Sequence, residues 1–212
     1  MRHGEPGHQL AQRRRKLGRA RARARVDKRH EAHCEPPAFV NAHTHLYMTL
    51  TRGMPRLSEN PLPFPDYMSK VWWKIDKALD EELVSVSALM GAIEAARHGV
   101  ATVIDHHSSP RIIEGSLDLV AAALDEVGVR GVLSYETSDR DGRGRRDGGL
   151  KENERWLGRA RKGALRHRGM VGAHASYTLN DDTLEALRDL SDREGGGIHI
   201  HVAEDANDDV DA

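Results

Sequence analysis

The feature that most restricts what this chain can fold into is an alternation. Short apolar runs, each the length of a buried strand, are followed by longer segments with helical spacing. The runs stand at 38–43, 100–104, 131–135, 170–174 and 197–202, and the helical segments at 80–98, 112–127, 151–168 and 181–194. Strands separated by helices require crossover connections, which are right-handed and lay the strands side by side in a parallel sheet. The runs are apolar on both faces, which suits a (β/α) barrel better than a sandwich. The expected fold class is therefore α/β, a partial TIM-like (β/α) barrel. A complete barrel has eight units and typically about 250 residues. About five of the eight are countable in these 212 residues, so the barrel is expected to be incomplete.

Local signals sharpen this outline. Asp80 is expected to cap a helix that runs to about His98, with Leu83, Val86, Met90, Ile93 and Ala96 as its apolar face and Gly99 as its stop. A Pro- and Ser-rich stretch with aromatics, 55–73, reads as a loop. The segment 139–149 consists of Gly, Arg and Asp and reads as a mobile loop.

Residues 1–36 follow other rules. They hold eleven Lys or Arg against four acids, a surplus of seven, which leaves the other 176 residues with 21 basic against 29 acidic side chains. Leu10, Leu17 and Val26 are the only large aliphatic residues there after the initiator, too few for a core. The chain thus divides into a basic leader, 1–36, expected to be disordered, and an incomplete barrel, 37–212. A leader of this kind could neutralise a nucleic-acid backbone, but it has no interleaved aromatics and no DNA-binding motif, so a solvated tail is the preferred reading. A GC-rich gene read in a shifted frame gives the same vocabulary.

Cys34 is the only cysteine, which excludes a disulfide scaffold. No apolar run approaches the roughly 18 residues that cross a bilayer, and the leader lacks the apolar stretch of a secretory signal. A cytoplasmic protein without membrane contact is expected. Oligomeric state stays open, with a homo-oligomer possible.

The chemistry is concentrated at strand ends. In Asn41-Ala42-His43-Thr44-His45 the two histidines stand at i and i+2, a spacing that points both imidazoles to one side of a strand and lets them converge on one ion. A pair of hydrogen-bonded surface histidines fits the same pattern. His199-Ile200-His201-Val202-Ala203-Glu204 places further histidines and a carboxylate at the end of the fifth strand, where barrel active sites are built. His201 would supply a third nitrogen and leave a position open for water, a set that suits zinc first and iron second. For Glu204 the alternative is a solvated acid in a run with Asp205, Asp208 and Asp209.

Four segments in this order, Phe39 to Leu46, Gly99 to His107, Gly172 to Tyr177 and His199 to Glu204, resemble the amidohydrolase superfamily. Within it they are most similar to the cytosine-deaminase-like aminohydrolases and chlorohydrolases, the SsnA type in particular. The resemblance covers 37–211. It implies one divalent metal held by His43, His45 and His201, with Glu204 as the acid that shuttles protons and His174 as a histidine that contacts substrate. A core role for His174 is the alternative. His106 and His107 are left open between pocket lining, packing and solvent exposure.

The family also uses a histidine from a sixth strand and an aspartate from an eighth, for which no segment is found here. The implied activity is metal-assisted hydrolysis of a C–N bond other than a peptide bond, removing the amino group of a small cyclic amidine or purine-like substrate, with this chain its N-terminal portion. An inactive product of a truncated or frame-disrupted gene is the runner-up, and a nucleic-acid-binding protein acting through its leader is the third reading.

Overall fold

In the computed structural model, residues 37–55, 63–163 and 166–205 are described. The expectation of a disordered leader falls outside them. Five parallel strand positions are laid side by side. Strand β1 (Phe39–Thr44) pairs with β2 (Val100–His107), and β2 with β3 (Arg130–Tyr135) in unbroken register from Thr102↔Arg130 to His107↔Tyr135. The fourth position, expected as one strand, is split into β4 (Arg168–Gly169) and β5 (Val171–Ala175). β4 pairs with β3, and β5 pairs with β6 (Ile198–His201). Hydrogen bonds from Met170 N to Leu133 O, Thr137 N to Gly172 O and His174 N to Thr137 O carry the ladder across the split.

Gly172 explains the close seam. A Cβ at this position would lie 2.1 Å from the Tyr135 carbonyl oxygen, so only glycine lets β5 approach β3 here. Asn153 bridges the same junction from the helix behind it. Its Oδ1 accepts from Tyr135 N and Gly172 N, and its Nδ2 donates to Tyr135 O.

Between the strands run helices α1 (Phe64–Tyr67), α2 (Trp73–Ala78), α3 (Glu81–Arg97), α4 (Ser116–Val127), α5 (Arg143–Arg161) and α6 (Asp181–Glu194), with a π-helical turn, Met68–Trp72, joining the first two. Asp80 caps α3 by accepting from Leu83 N, and Asn180 caps α6 by accepting from Thr183 N. Leu117, Val120 and Leu124 of α4, Val103 of β2, Leu133 of β3 and Trp156 of α5 fill the core between sheet and helices. Leu157, Val171, Ala173, Leu187 and Leu190 form a second cluster under α6.

Several expectations are corrected. The segment 139–149 is not a mobile loop, since α5 begins at Arg143. Its glycine serves packing: a Cβ on Gly149 would meet Thr137 Oγ1 at 2.9 Å, so this residue lets the helix lie against the chain leaving β3. The described part of 55–73 is largely helical, with Phe64, Tyr67, Met68 and Trp72 recurring at helical spacing.

The buried face of α3 is Val84, Ser87, Ala88, Gly91 and Ala92, and the expected core residues Leu83, Val86, Met90 and Ile93 are 36–43% exposed. Small residues win the inner face because the 3-10 turn Leu46–Thr51 lies so close. Ser87 Oγ donates to the carbonyls of Leu46 and Tyr47, and a Cβ on Gly91 would sit 2.6 Å from Leu46 Cδ2. β1, read as buried, is exposed from Phe39 to His43, because only β2 flanks it among the described residues.

Candidate metal centre

All strands run in one direction, so their C-terminal ends open on one mouth, and each delivers polar side chains there. β1 ends near His43 and His45, β2 at Asp105, His106 and His107, and β3 is followed by Glu136. β5 carries His174 and β6 carries His199 and His201. β2 runs through His107, past the expected end at 104, so His106 and His107 are strand residues. Both are fully buried, which rules out solvent exposure for them.

The three histidines expected to ligate a metal come together. Ring centroids are 4.8 Å apart for His43 and His45, 5.0 Å for His43 and His201, and 5.2 Å for His45 and His201. One nitrogen from each lies within 4.8 Å of the others, and His43 Nε2 is 3.3 Å from His201 Nε2. His45 Nδ1 lies 2.8 Å from the His106 carbonyl oxygen, and His201 Nδ1 lies 2.7 Å from that of His174. A neutral imidazole that donates Nδ1–H to a carbonyl has its lone pair on Nε2, so the neighbouring strands fix the tautomer that a ligand needs. His43 Nδ1 is 2.9 Å from His199 Nε2.

Glu136, which the sequence reading missed, is the buried charge of the site. Its Oε1 is 3.1 Å from His45 Nδ1 and 3.7 Å from His106 Nδ1, and its Oε2 is 3.9 Å from His174 Nε2. Burial favours the neutral acid, but the imidazoles of His106, His45 and His174 outweigh it and hold the carboxyl well below its usual range. Burial likewise opposes a charge on His45, yet the Glu136 carboxylate raises its pKa to about 9. His43, with burial and three neighbouring histidines against it, is lowered to about 4. Burial takes His174 down to about 3, so it is a neutral ring at pH 7, its Nδ1 2.7 Å from Thr178 Oγ1.

His43, His45, His174, His201, Glu136 and Glu204 all border one cavity of about 180 Å³, roofed by Phe64, Tyr67, Met68 and Trp72. Glu204 is exposed at its rim. A larger groove of about 430 Å³ runs along β1 and α3 and shares only His45 and Trp72 with this cavity. It holds none of the clusters of ligating side chains found among the described residues.

The donor set fits a divalent ion. Nitrogens bound to zinc at about 2.0–2.1 Å in a tetrahedron are about 3.3 Å apart, the separation found between His43 Nε2 and His201 Nε2. The carbonyls behind His45 and His201 hold the Nδ1 side of each ring and turn Nε2 toward the cluster, where an ion would displace the proton that Glu136 keeps on His45, and Glu136 supplies a compensating negative charge.

Fold and cluster together define a class, the β1-to-β6 part of a TIM-like barrel with a cluster of histidines that could hold a metal ion at its mouth. The model of the Amidohydrolase family matches residues 36–212, and the chain belongs to that family. It is 35% identical over 183 residues to the 5'-deoxyadenosine deaminase of Methanobrevibacter smithii, covering 83% of this chain and 39% of the relative. It is 34% identical over 172 residues to the 5-methylthioadenosine/S-adenosylhomocysteine deaminase of Caldanaerobacter subterraneus subsp. tengcongensis, covering 79% and 36%.

The solved structure of an adenosine deaminase from Xanthomonas campestris with bound zinc matches with a TM-score of 0.66 at 27% identity, covering 81% of this chain and 37% of that one. The chain therefore spans 36–39% of the length of these relatives. They are deaminases by name, in keeping with an enzyme by resemblance. Among the described residues no helix is long and apolar enough to cross a membrane.

The site was legible in part. His43, His45, His174, His201 and Glu204 were singled out from sequence and share the cavity. Glu136 carried a signal that went unused, an acid directly after a buried apolar run. His199 stands two residues before His201 and so on the same face of β6, a second instance of the spacing that drew attention to His43 and His45.

Proposed function

We propose that this chain forms the metal-binding part of an aminohydrolase that removes the exocyclic amino group of an adenosine-like compound, with His43, His45 and His201 holding one divalent ion, zinc in the first instance. The convergence of these three imidazoles on one point, beside Glu204 and His174, is the observation that carries the reading. The names of the relatives support the substrate class. A bound divalent ion would supply Lewis acidity that makes water a competent nucleophile near neutral pH.

The chain's own residues do the rest. Overall, water adds at the carbon bearing the amino group, and ammonia leaves as that carbon becomes a carbonyl. The Glu204 carboxyl, at the rim, gives a proton to a ring nitrogen as water adds and moves a proton to the departing amino group, a general acid–base role that needs a carboxyl within reach of both. His174, neutral, offers its Nε2 edge to the ring. The apolar roof of Phe64, Tyr67, Met68 and Trp72 covers a flat heterocycle and keeps bulk water out.

The test is ammonia release from 5'-deoxyadenosine, 5-methylthioadenosine and adenosine by the zinc-supplemented protein and by Glu204→Gln. Release by the first and a loss of at least about 100-fold in the second are expected. Stoichiometric zinc without release of ammonia from any of the three would remove catalysis by this chain and leave a metal-binding portion.

A further inference from the structure

We infer that His199 is a positioning residue for the metal centre, its Nε2 accepting the Nδ1–H of His43 so that His43 is held in the tautomer and rotation that present Nε2 to an ion. The inference rests on the metal-centre reading above. It follows from a comparison of the three ligands. His45 is anchored through Nδ1 by the His106 carbonyl, and His201 through Nδ1 by the His174 carbonyl. Among the described residues no carbonyl is hydrogen-bonded to the ring of His43. Its Nδ1 faces His199 Nε2 at 2.9 Å, the one ring contact that can play the same part. Nε2 of His43 points the other way, 3.3 Å from His201 Nε2. Once an ion occupies Nε2, the proton of a neutral His43 must sit on Nδ1, so the hydrogen bond runs from His43 to His199.

His199 is itself held in place. Its ring stacks on that of His106 at 4.4 Å, with the planes 10° apart. His106 is fully buried on β2, so the platform is packed on all sides. His199 Nδ1 is buried without a hydrogen-bond partner, and with Nε2 accepting from His43 it is where the proton of a neutral His199 belongs.

The competing reading makes His43, His106 and His199 a second metal site, since one nitrogen of each lies within 4.8 Å of the others. The stacking opposes it. Lone pairs of imidazole nitrogens lie in the ring plane, and the planes of His106 and His199, 10° apart, converge on one ion less readily than those of His45 and His201, 27° apart, or His43 and His201, 88° apart.

The test measures zinc affinity of the full chain by competition with a chromophoric chelator, for the wild type, His199→Ala and His199→Gln. The Gln amide oxygen can occupy the place of Nε2 and accept the same proton. The expected result is a loss of about 10- to 100-fold in affinity for His199→Ala, the usual cost of removing an outer partner of a metal-ligating histidine, and recovery of most of that loss in His199→Gln. Equal affinity in His199→Ala and wild type would overturn the inference, and so would equal weakness of the Ala and Gln variants. Two zinc ions per chain in the wild type and one in His199→Ala would make His199 a ligand and also overturn it.

A second measurement needs no variant. Nitrogen-15 shifts of the histidine rings in the zinc-loaded protein should show His199 protonated on Nδ1 and bare on Nε2, and the reverse tautomer contradicts the proposal. Failure of the underlying reading looks different: the wild type itself binds no zinc, whatever stands at position 199.

Discussion

Asn153→Leu is expected to cost this fold more than any exposed substitution of similar size. Asn153 is fully buried on α5, and its Oδ1 accepts both Tyr135 N, at 2.9 Å, and Gly172 N, at 3.1 Å. Leucine has the same branching at Cγ, is bulkier and has no acceptor, so two buried N–H groups lose their partner and overpacking adds to the cost. Each orphaned group costs about 1–3 kcal/mol, which places the total at about 2–6 kcal/mol. With a urea dependence of about 1–3 kcal/mol/M for a small domain, even the low end moves the unfolding midpoint by about 1 M. Urea titration followed by tryptophan fluorescence measures this, and hydrogen exchange separates it from a packing defect. The amides of Tyr135 and Gly172 should exchange much faster in the variant, while that of Leu124 on α4 stays protected. A midpoint unchanged within 0.3 M (about the resolution of such a titration), with both amides still protected, would refute the reasoning.

Three further outcomes are expected. Gly172→Ala puts a Cβ within 2.1 Å of the Tyr135 carbonyl oxygen and should lower stability by about 1–3 kcal/mol, read from the same titration. Glu136→Gln removes the carboxylate 3.1 Å from His45 Nδ1 and should weaken zinc binding by about 10-fold or more, measured by chelator competition. Asp105 is fully buried, and that burial raises its pKa from 3.8 to about 7, although Leu46 N donates to its Oδ1 at 2.7 Å. The folded state thus holds the proton more tightly than the unfolded one. This contribution is complete below pH 3.8 and is lost as pH rises to about 7, so wild-type stability should fall relative to Asp105→Asn across that interval in urea titrations at successive pH values.

The order of strands and helices was legible because the strands are compact apolar runs with helical spacing between them, although the helix expected at 151–168 runs from Arg143 to Arg161, with no side-chain cap at Gly142 to mark its start. Asp80 and Asn180 cap their helices as side chains of that type do, and α6 occupies the span its spacing predicted. Which face of a helix is buried was not legible for α3. Hydrophobicity favoured Leu83, Val86, Met90 and Ile93, whereas the turn at 46–51 packs directly on Ser87 and Gly91 and turns the face with Val84, Ala88 and Ala92 inward. Distance between backbones, set by tertiary packing, overrode the apolar count. The same holds for 139–149, where glycine is read locally as flexibility and acts in the fold as clearance.

In the site, histidines at i, i+2 spacing on strands could be read as converging because strand geometry dictates it. Glu136 could not be connected to them, since its partners His45, just past β1, His106 on β2 and His174 on β5 are far apart in the chain and meet it only through sheet order.

The central claim is that His43, His45 and His201 share one divalent ion, and metal content tests it most directly. The purified chain, dialysed against trace zinc and analysed by atomic emission, should hold about one equivalent per chain, the number three convergent imidazoles define. The His43→Ala, His45→Ala double variant, folded by circular dichroism, should hold none. Zinc retained at one equivalent in the folded double variant, or absent from the wild type, would contradict the account.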